Sequence, residues 1–170
     1  MKLFDGNLII RKAEIEDAAI LGRWWRSGVV MAHAGFPNGL PVTDEEIKNK
    51  FKQWNGKHGL LILEADHVPI GEMSYNSKGN GIAQIGIKIC VQEMQSKGYG
   101  SRYLSLLIDE LFKRGYNQIV LDTNAKNTSA QRTYEKLGFK KVGVRENSWK
   151  NQLGELQTSI DYKLDKSDWK

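Results

Sequence analysis

The stretch from Ile82 to Lys113 constrains this chain most. Residues 82–91 alternate, with Ile85, Ile87 and Ile89 on one face and Gln84, Gly86, Lys88 and Cys90 on the other, which is the period of a strand. Residues 100–113 change period. Leu104, Leu107, Ile108, Leu111 and Phe112 follow the i, i+3, i+4, i+7, i+8 spacing of an amphipathic helix, and Gly115 supplies its stop. Between the two lies Gln95-Ser96-Lys97-Gly98-Tyr99-Gly100-Ser101. A helix N-terminus presents unpaired amides and about half a positive charge. Gly98 and Gly100 have no Cβ to obstruct a ligand. The junction therefore fits a phosphate or pyrophosphate, with Lys97 and Arg102 adding charge. The Walker pattern is absent, and the dinucleotide fingerprint, which needs three glycines early in a βαβ unit, does not fit.

The remaining elements follow from local signals. Residues 8–11 read as a short strand and 15–27 as a helix with Ile20, Leu21, Trp24 and Trp25 along its apolar stripe. Residues 28–42 are expected to be loop. Thr43-Asp44-Glu45-Glu46 is a capping box that starts a helix reaching about Trp54. Residues 59–65 and 69–75 form a hairpin around Asp66-His67. A strand is expected over 118–122, a helix over 128–137 ended by Gly138, and strands over 140–145 and 156–164. In the last strand Leu156, Thr158, Ile160, Tyr162 and Leu164 share a face. Hairpins early and crossover helices late imply a mixed α/β sheet. With 170 residues, no linker and no repeat, one domain spanning 1–170 is expected.

Composition excludes several classes. No apolar run nears the ~20 residues that span a bilayer, and the N-terminus has no signal-peptide pattern. One cysteine, Cys90, rules out an internal disulfide framework and points to a reducing, cytoplasmic setting. His33, His58 and His67 show no metal spacing, so no metal is expected. A net charge of +5 suits an anionic ligand, but the basic residues are scattered and no stripe with interleaved aromatics marks a nucleic-acid surface. Neither a nucleic acid nor a membrane is expected as partner.

A second motif follows about 25 residues after the loop: Asn127-Thr128-Ser129-Ala130-Gln131-Arg132-Thr133-Tyr134-Glu135-Lys136-Leu137-Gly138-Phe139. With Gln95-Ser96-Lys97-Gly98-Tyr99-Gly100, which matches Gln/Arg-x-x-Gly-x-Gly/Ala, the chain resembles the GNAT acetyltransferase superfamily. Trp24-Trp25, the segment Met31-Ala32-His33-Ala34-Gly35-Phe36-Pro37 and the ending from Asp161 to Trp169 resemble the branch of the ribosomal-protein alanine acetyltransferases (RimJ/RimL-like).

The resemblance implies a mostly antiparallel seven-stranded sheet splayed between its fourth and fifth strands, with about four helices. It implies acetyl-CoA as cosubstrate, its pyrophosphate on residues 95–101 and its pantetheine along Ile89, Cys90 and Val91. An amide there would also stabilise the oxyanion. Asn127 would bond to the CoA arm, and Tyr134 would protonate the leaving thiolate. Glu72 and Asp122 are the candidate bases. Gln84 stands where related enzymes often carry glutamate; it cannot act as a base and is assigned with His33 to the acceptor site. The acceptor is a primary amine of a small molecule or of a protein N-terminus, and the resemblance leaves a homodimer open.

Plainer readings accompany these. Gly98 and Gly100 also suit a simple turn, Tyr134 a core position, Asn127 a helix cap and Glu72 a solvated face. Two functions stand: acetyl transfer to an amine, and a non-catalytic acyl-CoA-binding module with the same fold.

Overall fold

The structure, a computed structural model, describes residues 1–170. Eight strands form one open sheet: β1 (Lys2–Asp5), β2 (Leu8–Lys12), β3 (Leu60–Ala65), β4 (Val68–Gly79), β5 (Ile82–Ile89), β6 (Gln118–Asn124), β7 (Lys140–Lys150) and β8 (Leu156–Asp165). Their spatial order is β1-β2-β3-β4-β5-β6-β8-β7. All neighbours are antiparallel except β5 and β6. Five helices accompany them: α1 (Ala18–Trp25), α2 (Gly28–Met31), α3 (Asp44–Trp54), α4 (Tyr99–Lys113) and α5 (Thr128–Leu137). No helix is long and apolar enough to cross a membrane.

The mixed α/β sheet expected from the sequence is present, with one strand and one helix more. β1 escapes notice because it is a short, mostly exposed edge with no buried alternation. It pairs with β2 across a two-residue turn between Asp5 and Leu8. The helix expected over 15–27 is interrupted. A 3-10 turn at Ile15–Asp17 precedes α1, because Asp17 turns back to accept from both Arg11 Nη atoms (2.8 Å each) and from the Glu14 amide (2.7 Å). The expected loop over 28–42 contains α2 and a 3-10 turn at Ala32–Ala34.

The sheet buries both faces. On one side α4 and α5 cover Leu8, Ile10, Met73, Ile85, Ile119 and Tyr162; Leu104, Leu107, Ile108 and Leu111 of α4 are fully buried there. Each such leucine stabilises the fold by roughly 1.5–3 kcal/mol relative to exposure. On the other side α1 and α3 bring Leu21, Trp24, Ile47 and Phe51 against Ile62 and Cys90. The Thr43–Glu46 capping box starts α3 as expected.

At the end of α3 the His58 ring packs against Trp54 (centroids 4.9 Å apart) and edge-on to Phe51 (5.4 Å). The Leu60 amide donates to His58 Nδ1 at 3.1 Å, so a neutral ring is needed. Burial and the nearby Lys12 charge lower its pKa. The unfolded chain then binds the proton more readily than the folded one, so stability is fullest above the ordinary imidazole pKa of about 6.5 and declines as pH falls below it. Urea unfolding midpoints should therefore drop between about pH 7.5 and about pH 5.5 more steeply in the wild type than in His58→Phe.

Candidate active site

The site is made by two strands that part. β5 and β6 share only three parallel pairs, Ile82↔Gln118, Ala83↔Ile119 and Gln84↔Val120. Beyond these, each strand stays with its outer neighbour. β5 pairs with β4 as far as Gly71↔Ile89, and the Cys90 amide continues the ladder to Ile70 (2.8 Å). β6 pairs with β8 as far as Asn124↔Ser159, and the Ala125 amide continues to Thr158 (2.9 Å). Backbone groups alternate sides along a strand. With Cys90 bonded towards β4, Ile89 and Ile87 turn their amides to the gap. The Ile89 carbonyl accepts there from Gln95 Nε2 at 2.9 Å.

A cleft of about 1260 Å³ fills the opening. Gly86, Ile87, Lys88 and Ile89 line one side, and Asp122, Thr123 and Asn124 the other. At one end it reaches the start of α4. Ser96 (φ +58) and Gly98 (φ +80) are both left-handed and turn the loop into the helix. An L side chain at Gly98 would be strained there. The first bond into the helix runs from the Arg102 amide to the Gly98 carbonyl, and no side chain caps this end. The amides of Tyr99, Gly100 and Ser101 are thus unpartnered, and a Cβ built on Gly98 or Gly100 would meet nothing within 4 Å. α3 and α5, by contrast, are capped by their own Thr43 and Asn127 side chains. An open helix N-terminus in a cleft is suited to an anion.

α5 forms the adjoining wall. Asn127 Oδ1 accepts from the Ala130 amide at 3.2 Å, which leaves its amide nitrogen free. Tyr134 is 5% exposed and packs against Phe139 and Tyr162. Its hydroxyl has no protein hydrogen-bond partner, yet the residue lines the cleft. Burial, with a contribution from the Asp122 charge, pushes its pKa up to about 12.

The opposite end is closed by segments distant in sequence. The Gln152 amide donates to the Gly35 carbonyl (2.7 Å), Gln152 Nε2 to Gly39 (3.0 Å), and the Asn38 amide to Gln152 Oε1 (2.9 Å). Trp149 donates to Ser159 Oγ (3.0 Å) and lies so close to Gly35 that a Cβ there would sit 2.6 Å from the indole. Below, the buried Asn124 donates to Gln157 Oε1 (2.9 Å) and the His33 carbonyl (3.4 Å), while its Oδ1 accepts from the Lys126 amide (3.0 Å). Arg145 bridges Asp161 (2.9 Å) and Asp122 (3.0 Å).

A model of the acetyltransferase (GNAT) domain matches residues 7–140. The chain belongs to that family. An uncharacterized N-acetyltransferase, p20, of Bacillus licheniformis is 27% identical over 154 residues, 84% of each chain. The ribosomal protein bS18-alanine N-acetyltransferase of Escherichia coli is 42% identical, but over only 55 residues, 32% of this chain and 37% of that enzyme; this partial match agrees with the branch resemblance. Among solved structures, a spermidine N-acetyltransferase from Vibrio cholerae, in complex with CoA and spermine, superposes with a TM-score of 0.84 at 18% identity, covering 96% of this chain and 98% of that one. At that identity the likeness concerns the fold.

Within this GNAT domain the cleft gathers ten of the residues expected from the sequence: Ile89, Gln95, Ser96, Gly98, Gly100, Ser101, Asn127, Tyr134, Asp122 and His33. Others lie elsewhere. The Cys90 side chain is turned to the α1/α3 face, where burial pushes its thiol up, and its amide is taken by Ile70. Val91 lies past the strand end, and its carbonyl accepts from the Met94 amide. Lys97 and the Tyr99 ring do not line the cleft; Tyr99 packs towards Tyr103. Arg102 is held by Asp5 (3.2 Å), away from the loop. Gln84 sits where β5 and β6 are still paired, before the opening begins. Glu72 is on the α1 face. Trp25 Nε1 donates to its Oε2 at 2.7 Å, and its Oε1 is ion-paired at 3.7 Å with Lys88, which lines the cleft where Glu72 does not.

Lys88, Asn124, Arg132, Arg145, Trp149 and Ser159 line the cleft without having been singled out in the sequence. Gln157 and Ser159 occupy the polar phase of β8, yet are 4% and 8% exposed; Gln157 accepts from Asn124 and Ser159 from Trp149. Replacing Asn124 by Ala would leave the buried Gln157 amide oxygen without its donor. A loss of about 1–3 kcal/mol in unfolding free energy is expected, measurable by urea titration.

Proposed function

We propose that this chain is an acetyl-CoA-dependent N-acetyltransferase that moves an acetyl group to a primary amine by direct attack within a ternary complex. One arrangement carries the reading: the open N-terminus of α4 at Gly100 and Ser101, the unpaired edge of β5 and the free Tyr134 hydroxyl meet in a single cleft. Acetyl-CoA would supply the thioester carbonyl and a thiolate leaving group. The amides of Tyr99, Gly100 and Ser101 would hold its pyrophosphate. The edge of β5 at Ile87 and Ile89 would bind the pantetheine amides as a further strand, and one of those amides would donate to the carbonyl oxygen. The free amide nitrogen of Asn127 would bond to the same arm.

Tyr134 keeps its proton at neutral pH. Its pKa of about 12 exceeds that of an ordinary thiol, about 8.5, so complete transfer to a free thiolate runs uphill. Its role is accordingly a hydrogen bond that strengthens as charge develops on sulfur. Of the two carboxylates considered as base, Asp122 lines the cleft. Its Oδ2 is tied to Arg145, which leaves Oδ1 to take a proton from the amine or from an intervening water. The E. coli relative is named for an alanine of a ribosomal protein and the V. cholerae one for spermidine. Both a protein N-terminus and a small amine therefore stand as acceptor classes.

Purified protein incubated with acetyl-CoA and an amine panel should release free thiol. Binding of acetyl-CoA without turnover on any amine would sink the reading. Tyr134→Phe should lower kcat about 10-fold or more while changing acetyl-CoA affinity little; equal losses in both would reduce the tyrosine to a binding role.

A further inference from the structure

The charge of the cleft bears on its acceptor. Asp122 is the one acid among its thirty lining residues, and it is already paired with Arg145. The cations are Lys88, Arg132, Lys136 and Arg145. Arg132 and Lys136 lie on α5, one turn apart. Arg145 is engaged through Nε and Nη2 by Asp161 and through Nη2 by Asp122. Lys88 differs. Its ammonium sits beside α2, at the end closed by the 28–39 segment, with a side chain 26% exposed. Its one hydrogen-bond partner is the Met31 sulfur at 3.1 Å, a weak acceptor. Glu72 is 3.7 Å away, beyond hydrogen-bond length, and spends its other oxygen on Trp25. Glu72 thus balances the charge from behind as an ion pair, but of the three ammonium donors only one is spent, and that on sulfur, so donors remain for an anion that enters the cleft.

A polycationic acceptor finds the reverse of what it needs, since no free carboxylate lines the cleft to hold a second ammonium. Accepting the transfer reading above, we infer that the acceptor carries an anionic group, a carboxylate or a phosphate, beside its amine, and that Lys88 binds that group. Lys88 is then a specificity residue. It holds the acceptor by its anion, with the amine directed towards the parted strands.

Thiol release from acetyl-CoA tests this with matched acceptors: an α-amino acid against its carboxamide, an aminoalkyl phosphate against the amino alcohol, spermidine, and a peptide with a free N-terminal alanine. In one of the two pairs the anionic member should show kcat/KM about tenfold or more above its neutral partner, and which pair does so tells carboxylate from phosphate. Lys88→Met should abolish that preference and Lys88→Arg should retain most of it. Spermidine, the peptide or the neutral members as best acceptors would overturn the inference and leave acetyl transfer standing. Equal losses for both members of a pair in Lys88→Met would also overturn it. Thiol release with none of them would overturn both. The wild-type comparison decides by itself even if the methionine variant folds poorly.

Discussion

The structure turns on how two parallel strands are held apart. β5 and β6 are bonded for three residues and then diverge, because each is committed to an outer partner, β4 or β8, through its full length and one residue beyond. A buried strand edge without partners is costly. Here the cost is kept local. Gln95 satisfies the Ile89 carbonyl, and the rest of the edge faces an open cleft where solvent or a ligand can reach it. The same divergence brings α4 and α5 close to the gap from one face and the 28–39 segment from the other. The open start of α4 and the side chains of the 28–39 segment thus come to one gap without any strand being broken.

The two ends of the cleft use different chemistry. Towards α4 and α5, binding capacity is mostly backbone: amides at a helix start, turned by two left-handed residues and unobstructed by side chains. Such a site cannot be altered by exchanging one side chain, except at the glycines. Towards β7 and β8 it is side chain on side chain: Asn124 with Gln157, Trp149 with Ser159, Arg145 between two aspartates. Many small substitutions could reshape that end while the first stays fixed, which suits a domain whose relatives share a fold across different named acceptors.

What could be read from the chain follows the same division. α4, the Thr43 cap of α3 and the Asn127 cap of α5 were legible because each depends on residues within a few positions of one another. The loop from Gln95 to Ser101 was legible for that reason too. Arg102 is drawn from the loop by Asp5, which belongs to a strand too short and exposed to announce itself in the sequence. Glu72 and Gln84 were assigned through resemblance. Whether a strand residue faces a gap or a paired neighbour depends on register with a distant strand, which periodicity does not contain.

The sequence by itself determined which elements form and that one helix starts in an uncapped, glycine-rich turn fit for an anion, since these are matters of local hydrogen bonding and backbone freedom. Only the tertiary structure decided where the sheet opens and that Asn124, Gln157 and Ser159 are buried beside the opening. It alone left Lys88 at the cleft with a thioether as its one hydrogen-bond acceptor and Glu72 at ion-pair distance behind it. Those outcomes rest on pairings between residues dozens of positions apart, and the free energy of such a pairing is set by both partners together.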